Sequence, residues 1–170
     1  MARIPLLTHR EELDSERQAV FDSVVETRGS MIRPYEVLLH TPGIAGAAAK
    51  LGHQIRYQGQ LSDHDRELAI ITTSQVHDCE FEWTSHVDIA RSAGVAEGTI
   101  TALKSGAGNI APDDQMIVDF VRELCANSNV SDETFDEIEV AIGTSRVIEL
   151  SALVGYYTFL GYAMKVAGAC

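Results

Sequence analysis

Helix start and stop signals punctuate this chain from end to end, and no segment carries the strict apolar–polar alternation of a half-buried strand. That combination admits only helices packed on helices, so the expected fold class is all-α. The first helix is expected over Arg10–Arg28. Asp14 and Ser15 are its candidate N-caps, Ser15 and Gln18 fit a capping box, and Gly29 stops it. Leu13, Val20, Phe21, Val24 and Val25 fall mostly on one face. Pro34 opens a short helix through Leu39, and Thr41-Pro42 opens another that carries Ala45, Ala47, Ala48, Ala49 and Leu51. Ser62 caps a helix that runs to about Val76 through Leu68, Ile70 and Ile71. Asp78 is expected to cap the next, from Cys79 to Ala93, with Gly94 closing it. A short helix around Thr99–Lys104 leads into the loose stretch 105–112. An amphipathic helix then covers Asp113–Ala126, and Ser131 caps Asp132–Ile142. The last, Ser145 to about Val166, is apolar nearly all round, which places it centrally or at a subunit contact.

At 170 residues the chain is expected to form a single domain, 1–170, with helical halves divided near 105–112. Its 13 basic against 25 acidic residues give a formal charge of −12, the wrong sign for a phosphate-backbone ligand. The expected partners are a small-molecule substrate and further copies of the chain, with neither nucleic acid nor membrane. The most apolar run, Val147–Val166, is interrupted by Glu149, Ser151, Thr158 and two glycines, and the start MARIPLLTHREELDSE has no signal core. The 3 cysteines, Cys79, Cys125 and Cys170, are too few and too irregularly spaced for a disulfide framework, which points to a reducing compartment and a cytoplasmic protein. No metal-binding motif such as HExxH is present, and no cofactor is expected.

Chemistry concentrates in RELAIITTSQVHDCEFEWTSHVDIARSAGV. Cys79, Glu82 and His86 stand at i, i+3 and i+7, one face of one helix, with Trp83 beside the stripe. A short turn at His77-Asp78 folds the Glu67 helix back antiparallel, so that Glu67 comes within reach of His86. A histidine oriented by a carboxylate is a proton shuttle poised near neutrality. Cys79 near a helix N-terminus is placed where the backbone dipole favours thiolate. The bland alternatives are a surface Glu–His contact and a buried apolar cysteine. Among the other histidines, His40 reads as a cap, His53 as a core residue, His64 and His9 as exposed, and His77 as a turn residue beside Cys79. Tyr156 and Tyr157 read as core or interface side chains.

The residues Arg66-Glu67-Leu68-Ala69-Ile70, then Cys79, Glu82-Trp83 and His86, then Ile89-Ala90-Arg91 and Ala93-Gly94-Val95 resemble the carboxymuconolactone decarboxylase family, whose superfamily includes alkylhydroperoxidase D. Arg3-Ile4-Pro5, Leu38-Leu39-His40-Thr41-Pro42 and the stretch from Val147 to Tyr157 extend the likeness over most of the chain. The resemblance implies an all-α fold with a central antiparallel helical hairpin, assembled into homo-oligomers. In the alkylhydroperoxidase branch it implies a Glu, a Cys-x-x-Cys pair and a His; Glu67, Cys79 and His86 match, while Glu82 takes the place of the second cysteine. The implied catalytic set is therefore Glu67, Cys79, Glu82 and His86. The decarboxylase branch implies loss of CO2 from a small lactone acid without cofactor; a carboxylated substrate needs a positive partner such as Arg56, Arg66 or Arg91. The alternative activity is a peroxiredoxin-type reaction at Cys79 resolved by an outside thiol. A non-catalytic helical oligomer is the third reading.

Overall fold

Asp14, not Ser15, begins the first long helix. In the computed structural model, which describes residues 3–170, the Asp14 carboxylate accepts the backbone N–H of Arg17 at 2.9 Å. The expected start at Arg10 is a separate 3-10 turn, Arg10–Glu12, and α1 spans Ser15–Arg28. The capping box does not form, because the Gln18 amide donates to the carbonyls of Arg10 and Leu13, at 3.2 and 2.9 Å, and so satisfies the end of that turn. Gly29 at φ 81° closes α1, a left-handed position that costs other residues strain. Next come α2 (Arg33–Leu38), α3 (Pro42–His53) and one π-helical turn, Gln54–Gln58. Then follow α4 (Asp63–Val76), α5 (Glu80–Ser92), α6 (Glu97–Ser105), α7 (Pro112–Asn127), α8 (Asp132–Ile142) and α9 (Thr144–Ala167). Among the described residues there is no strand; the fold is all-α.

Two compact units divide these elements: residues 1–58 with 159–170, and residues 59–158. In the first, α1 and α2 pack on α3. Tyr35 is fully buried there, its hydroxyl accepting from Arg28 at 3.1 Å and donating to the Ala48 carbonyl at 3.4 Å. Val37, Ala167 and Ala169 form a small apolar cluster with Ile4, Leu6 and Ala163, and the N–H groups of Arg3 and Ile4 reach the Ala167 carbonyl.

In the second unit α4 packs against α5 and α7, α6 touches both α4 and α5, and α7 carries α8. Leu68, Ile70, Ile71, Leu103, Ile117, Phe120, Val121, Ile138, Leu150 and Leu153 make its core. Every residue of α4 from Glu67 to Ser74 is buried. A run ending Thr72-Thr73-Ser74 tolerates this because each hydroxyl donates to the carbonyl four residues back, at 2.7–2.8 Å, leaving no buried donor unpaired. The stretch 105–112 joins α6 to α7 within this unit. Glu149 holds the approach to α4, accepting the N–H groups of Gln60 (2.8 Å) and Leu61 (3.2 Å), while Arg146 donates to the Gln60 carbonyl.

The turn between α4 and α5 differs from the sequence expectation. Asp78 does not cap α5; it closes α4. Its φ is 48°, its N–H bonds to the Gln75 carbonyl, and the N–H of Cys79 reaches back to Ser74. This pair of bonds is a Schellman closure with an aspartate where glycine is usual, and it makes Cys79 the N-cap residue of α5. At the far end, α9 is long and apolar enough, by length and composition, to cross a membrane, and half of its most apolar window is buried inside the protein. The polar interruptions seen in the sequence do not lower it below that test.

Candidate active site

The α4–α5 hairpin carries all four residues singled out by spacing. Glu67 lies in the first half of α4 and is fully buried. Cys79 is the N-cap of α5, and Glu82 and His86 follow one and two turns later; all three are buried, at 2%, 4% and 5% exposure. Antiparallel packing sets Glu67 against His86, with Nδ1 2.7 Å from Glu67 Oε2. The other ring nitrogen, Nε2, faces Glu82 Oε2 at 3.7 Å, outside hydrogen-bond range. A carboxylate only accepts, so Nδ1 is the donor towards Glu67 and Nε2 is left as the nitrogen that exchanges protons. The edge of the Tyr157 ring closes on His86, centroids 5.4 Å apart, and Tyr156 stacks edge-on against Tyr157 at the same distance. These two tyrosines, read as core residues, form an aromatic wall at the imidazole.

Cys79 stands apart along the helix. Seven residues of rise put it about 10 Å from His86 along the α5 axis. It is disulfide-bonded in this structure, whereas Cys125 is the free cysteine. The expectation that the cysteines take no part in disulfides is thereby corrected: spacing in sequence says nothing about which sulfurs the fold brings within bonding distance.

Arg66 belongs to the buried acid pair. Its Nε donates to Glu67 Oε1 at 3.3 Å, and its outer nitrogen holds Asp63 at 2.8 Å. Glu67 thus lies between a guanidinium and an imidazole, which compensates a carboxylate removed from water. Arg91 is committed elsewhere, to Asp88 and Glu97 on the surface, and those contacts hold the Glu97 carboxyl below its ordinary range. Neither arginine is arranged as a dedicated cation for a substrate carboxylate.

Several groups were missed or misplaced by spacing. His64, read as exposed, is half-buried, with Nδ1 3.0 Å from Asp65 and Nε2 2.9 Å from the buried Asp114 at the start of α7. His77 turns to the Thr158 hydroxyl at 2.9 Å, and Thr158 in turn bonds the Cys125 thiol, which burial nonetheless pushes above the usual thiol range. His40 accepts no capping role; its Nε2 donates to the Pro5 carbonyl at 2.8 Å. His53 stacks obliquely on Tyr57, with centroids 5.3 Å apart. Asp114, Thr158 and Pro5 come from remote segments, whereas Asp65 and Tyr57 lie within four residues of the histidines they meet.

Comparison with known proteins adds three findings. Residues 42–107 match the sequence model of the carboxymuconolactone decarboxylase family, a span that includes the whole α4–α5 hairpin. No curated protein matches the chain in sequence. Among solved structures it is similar to an alkylhydroperoxidase AhpD core protein, an uncharacterized peroxidase-related protein from Ralstonia eutropha JMP134. That match has a TM-score of 0.78 and 17% identity, and covers 99% of this chain and 91% of the other. It is also similar to the debrominase Bmp8, as a cysteine-to-alanine variant in complex with 2,3,4-tribromopyrrole, with a TM-score of 0.76 and 15% identity over 100% of this chain and 93% of that one.

Proposed function

We propose that this chain, whose residues 42–107 match the carboxymuconolactone decarboxylase family and whose fold is like that of an alkylhydroperoxidase AhpD core protein, is a cofactor-independent acid–base enzyme acting on a small lactone or organic acid. The observation that carries this reading is the buried Glu67–His86 contact of 2.7 Å, with Glu82 on the far side of the same ring. Decarboxylation breaks the bond to the carboxylate carbon, releases CO2 and leaves the electron pair on the adjacent carbon as an enolate. His86, protonated at Nε2, returns a proton to that carbon, and Glu82 is placed to pass the replacement proton from water. Glu67, backed by Arg66, orients the ring and offsets the imidazolium charge. The test is CO2 release from a panel of small lactone carboxylic acids. A His86→Ala variant with wild-type turnover sinks the assignment.

A second reading has its own support. Cys79 is disulfide-bonded, and in a reducing cytoplasm, the location we propose for this acidic chain, a disulfide is transient and catalytic rather than structural. The cysteine thiolate attacks the distal oxygen of a hydroperoxide, becomes a sulfenic acid and releases an alcohol; a thiol then condenses with the sulfenic acid and expels water. Hydroperoxide consumption lost in Cys79→Ser supports this cycle, and its persistence in that variant excludes it.

We also place the protein in a homo-oligomer. Val140 and Ile148 are 85% and 65% exposed in the second unit, and Tyr162 and Val166 are 57% and 65% exposed in the first. Sedimentation at the mass of one 18.5 kDa chain at micromolar concentration counts against it.

A further inference from the structure

Arg66 lies between an exposed and a buried carboxylate of α4. Its outer nitrogen is 2.8 Å from Asp63 Oδ1 and its Nε is 3.3 Å from Glu67 Oε1, with side-chain exposures of 15% for Arg66, 78% for Asp63 and 0% for Glu67. Glu67 meets the His86 ring through its other oxygen, Oε2. We propose that Arg66 is a positioning residue that keeps the proton of the Glu67–His86 pair on the imidazole, so that His86 and not Glu67 is the acid. The inference rests on the proton-transfer reading of His86 and adds to it a residue that acts through Glu67.

Helix geometry and proton counting select this role. Successive residues of a helix project about 100° apart, so neighbouring side chains do not ordinarily face each other. Arg66 meets Glu67 nonetheless, and Asp63, one turn earlier, holds the far end of its side chain. The guanidinium offers a separate N–H to each acid, so neither contact displaces the other. Glu67 and Glu82 flank the His86 ring, at 2.7 Å from Nδ1 and 3.7 Å from Nε2. When these three groups take up one proton beyond the neutral imidazole, two arrangements compete. In the first, both ring nitrogens are protonated and both carboxylates are ionised. In the second, Glu67 Oε2 carries the proton and donates it to a bare Nδ1, and the ring is neutral with its one hydrogen on Nε2. The two hold the same number of protons and the same net charge; they differ in whether Glu67 is ionised. The Arg66 cation beside Glu67 favours the first by Coulomb attraction, which is strongest for a carboxylate removed from water.

The difference decides the chemistry. An imidazolium gives up its Nε2 proton near neutral pH, whereas a neutral imidazole keeps it. In the step itself the Nε2–H bond breaks, its electron pair stays on the nitrogen, and the proton goes to the carbon that lost CO2. The ring is left neutral, with its hydrogen on Nδ1 towards Glu67. Arg66 exchanges no proton; it fixes the arrangement from which the transfer starts.

The test uses the full chain with nitrogen-15 in its histidines and carbon-13 in its glutamates, followed by NMR as the His86 ring titrates with acid. Nitrogen shifts separate a protonated from a bare ring nitrogen, and carboxyl carbon shifts separate an acid from a carboxylate. The wild-type ring should become protonated at both nitrogens while Glu67 stays ionised. In Arg66→Gln the ratio of doubly protonated to bare-Nδ1 ring should fall about tenfold or more, the scale of one hydrogen bond between charged groups, with a Glu67 acid signal rising in step. Arg66→Lys keeps the charge and should return the ratio to within about threefold of wild type. A merely structural Arg66 would weaken folding in both variants without moving the proton. A fall of less than about threefold in Arg66→Gln, the scale of an exposed ion pair, overturns the proposal. So does a wild-type ring with a bare Nδ1 beside a Glu67 acid, and that spectrum decides the matter should Arg66→Gln not fold. CO2 release is scored separately: a protein that decarboxylates none of the lactone acids fails the proposed reaction, while the ring spectra still report whether Arg66 holds the proton on His86.

Discussion

Replacing both members of the Glu67–His86 contact, singly and together, measures how strongly the buried pair is coupled. Glu67 Oε2 and His86 Nδ1 are 2.7 Å apart, with side-chain exposures of 0% and 7%. A hydrogen bond to a charged partner contributes about 1.5–3 kcal/mol net, and breaking a desolvated pair costs more, because the survivor is left buried without its compensating charge. Glu67→Gln keeps the volume and an acceptor oxygen but removes the charge shared with His86 and Arg66; the expected loss is about 2–3 kcal/mol. His86→Gln should cost a similar amount. The double variant should cost less than the sum, with a coupling energy of about 2 kcal/mol. Urea denaturation at pH 7 provides the measurement, with unchanged slopes showing that the comparison is two-state. In thermal melts a chain of this size should shift by about 2–4 °C per kcal/mol. A coupling energy below about 0.5 kcal/mol would refute the reasoning, since that is the range of exposed ion pairs. The imidazole would then have no anchored donor side, and the proton-transfer role of His86 would lose its geometric basis.

Other consequences are as specific. Glu123 accepts from the Thr134 hydroxyl and from the Ser131 N–H, which pulls its carboxyl below the ordinary range. A depressed carboxyl contributes stability above its unfolded pKa and loses it as pH falls through the folded value; Glu123→Gln should therefore flatten the acid limb of the stability curve below about pH 4.5. Cys125 should be the one thiol titrated in denaturant without reductant, rising to all 3 cysteines after reduction. Because burial raises its pKa, its alkylation in the folded protein should show a midpoint above the ordinary thiol value of about 8.5, and a lower midpoint would contradict the burial. Glu149→Ala removes the acceptor for the N–H groups of Gln60 and Leu61 and should cost about 1–3 kcal/mol in urea unfolding; a loss under 0.5 kcal/mol would show that the loop is not held by these bonds.

Helix ends were legible where the capping partner lies within the next turn. Ser62 and Ser131 accept the N–H groups of Asp65 and Thr134, three residues on, as their positions in sequence imply. Legibility failed where two local solutions compete. Asp14 and Ser15 are equal candidates by residue type; the Gln18 amide serves the preceding turn, and Asp14 takes the cap. Asp78 reads as an α5 cap by residue type, yet the sharp reversal after α4 demands a left-handed residue there, and the cap falls to Cys79. For the candidate site, the face shared by Cys79, Glu82 and His86 follows from helical spacing, because a regular helix leaves no choice of angle. The partition of Arg66 between Glu67 and Asp63, the carboxylates on either side of His64 and the relay from His77 through Thr158 to Cys125 were invisible.

By itself the sequence determined an all-α chain, the order of its helices, and a thiol, two carboxylates and an imidazole concentrated on one hairpin. Those features depend on interactions within about four residues, which the order of residues specifies directly. Only the tertiary structure decided which nitrogen of His86 meets Glu67 and which cysteines are oxidised. Each of these depends on side chains from elements far apart in the chain. Their separation is set by how helices pack, and no local pattern encodes that distance.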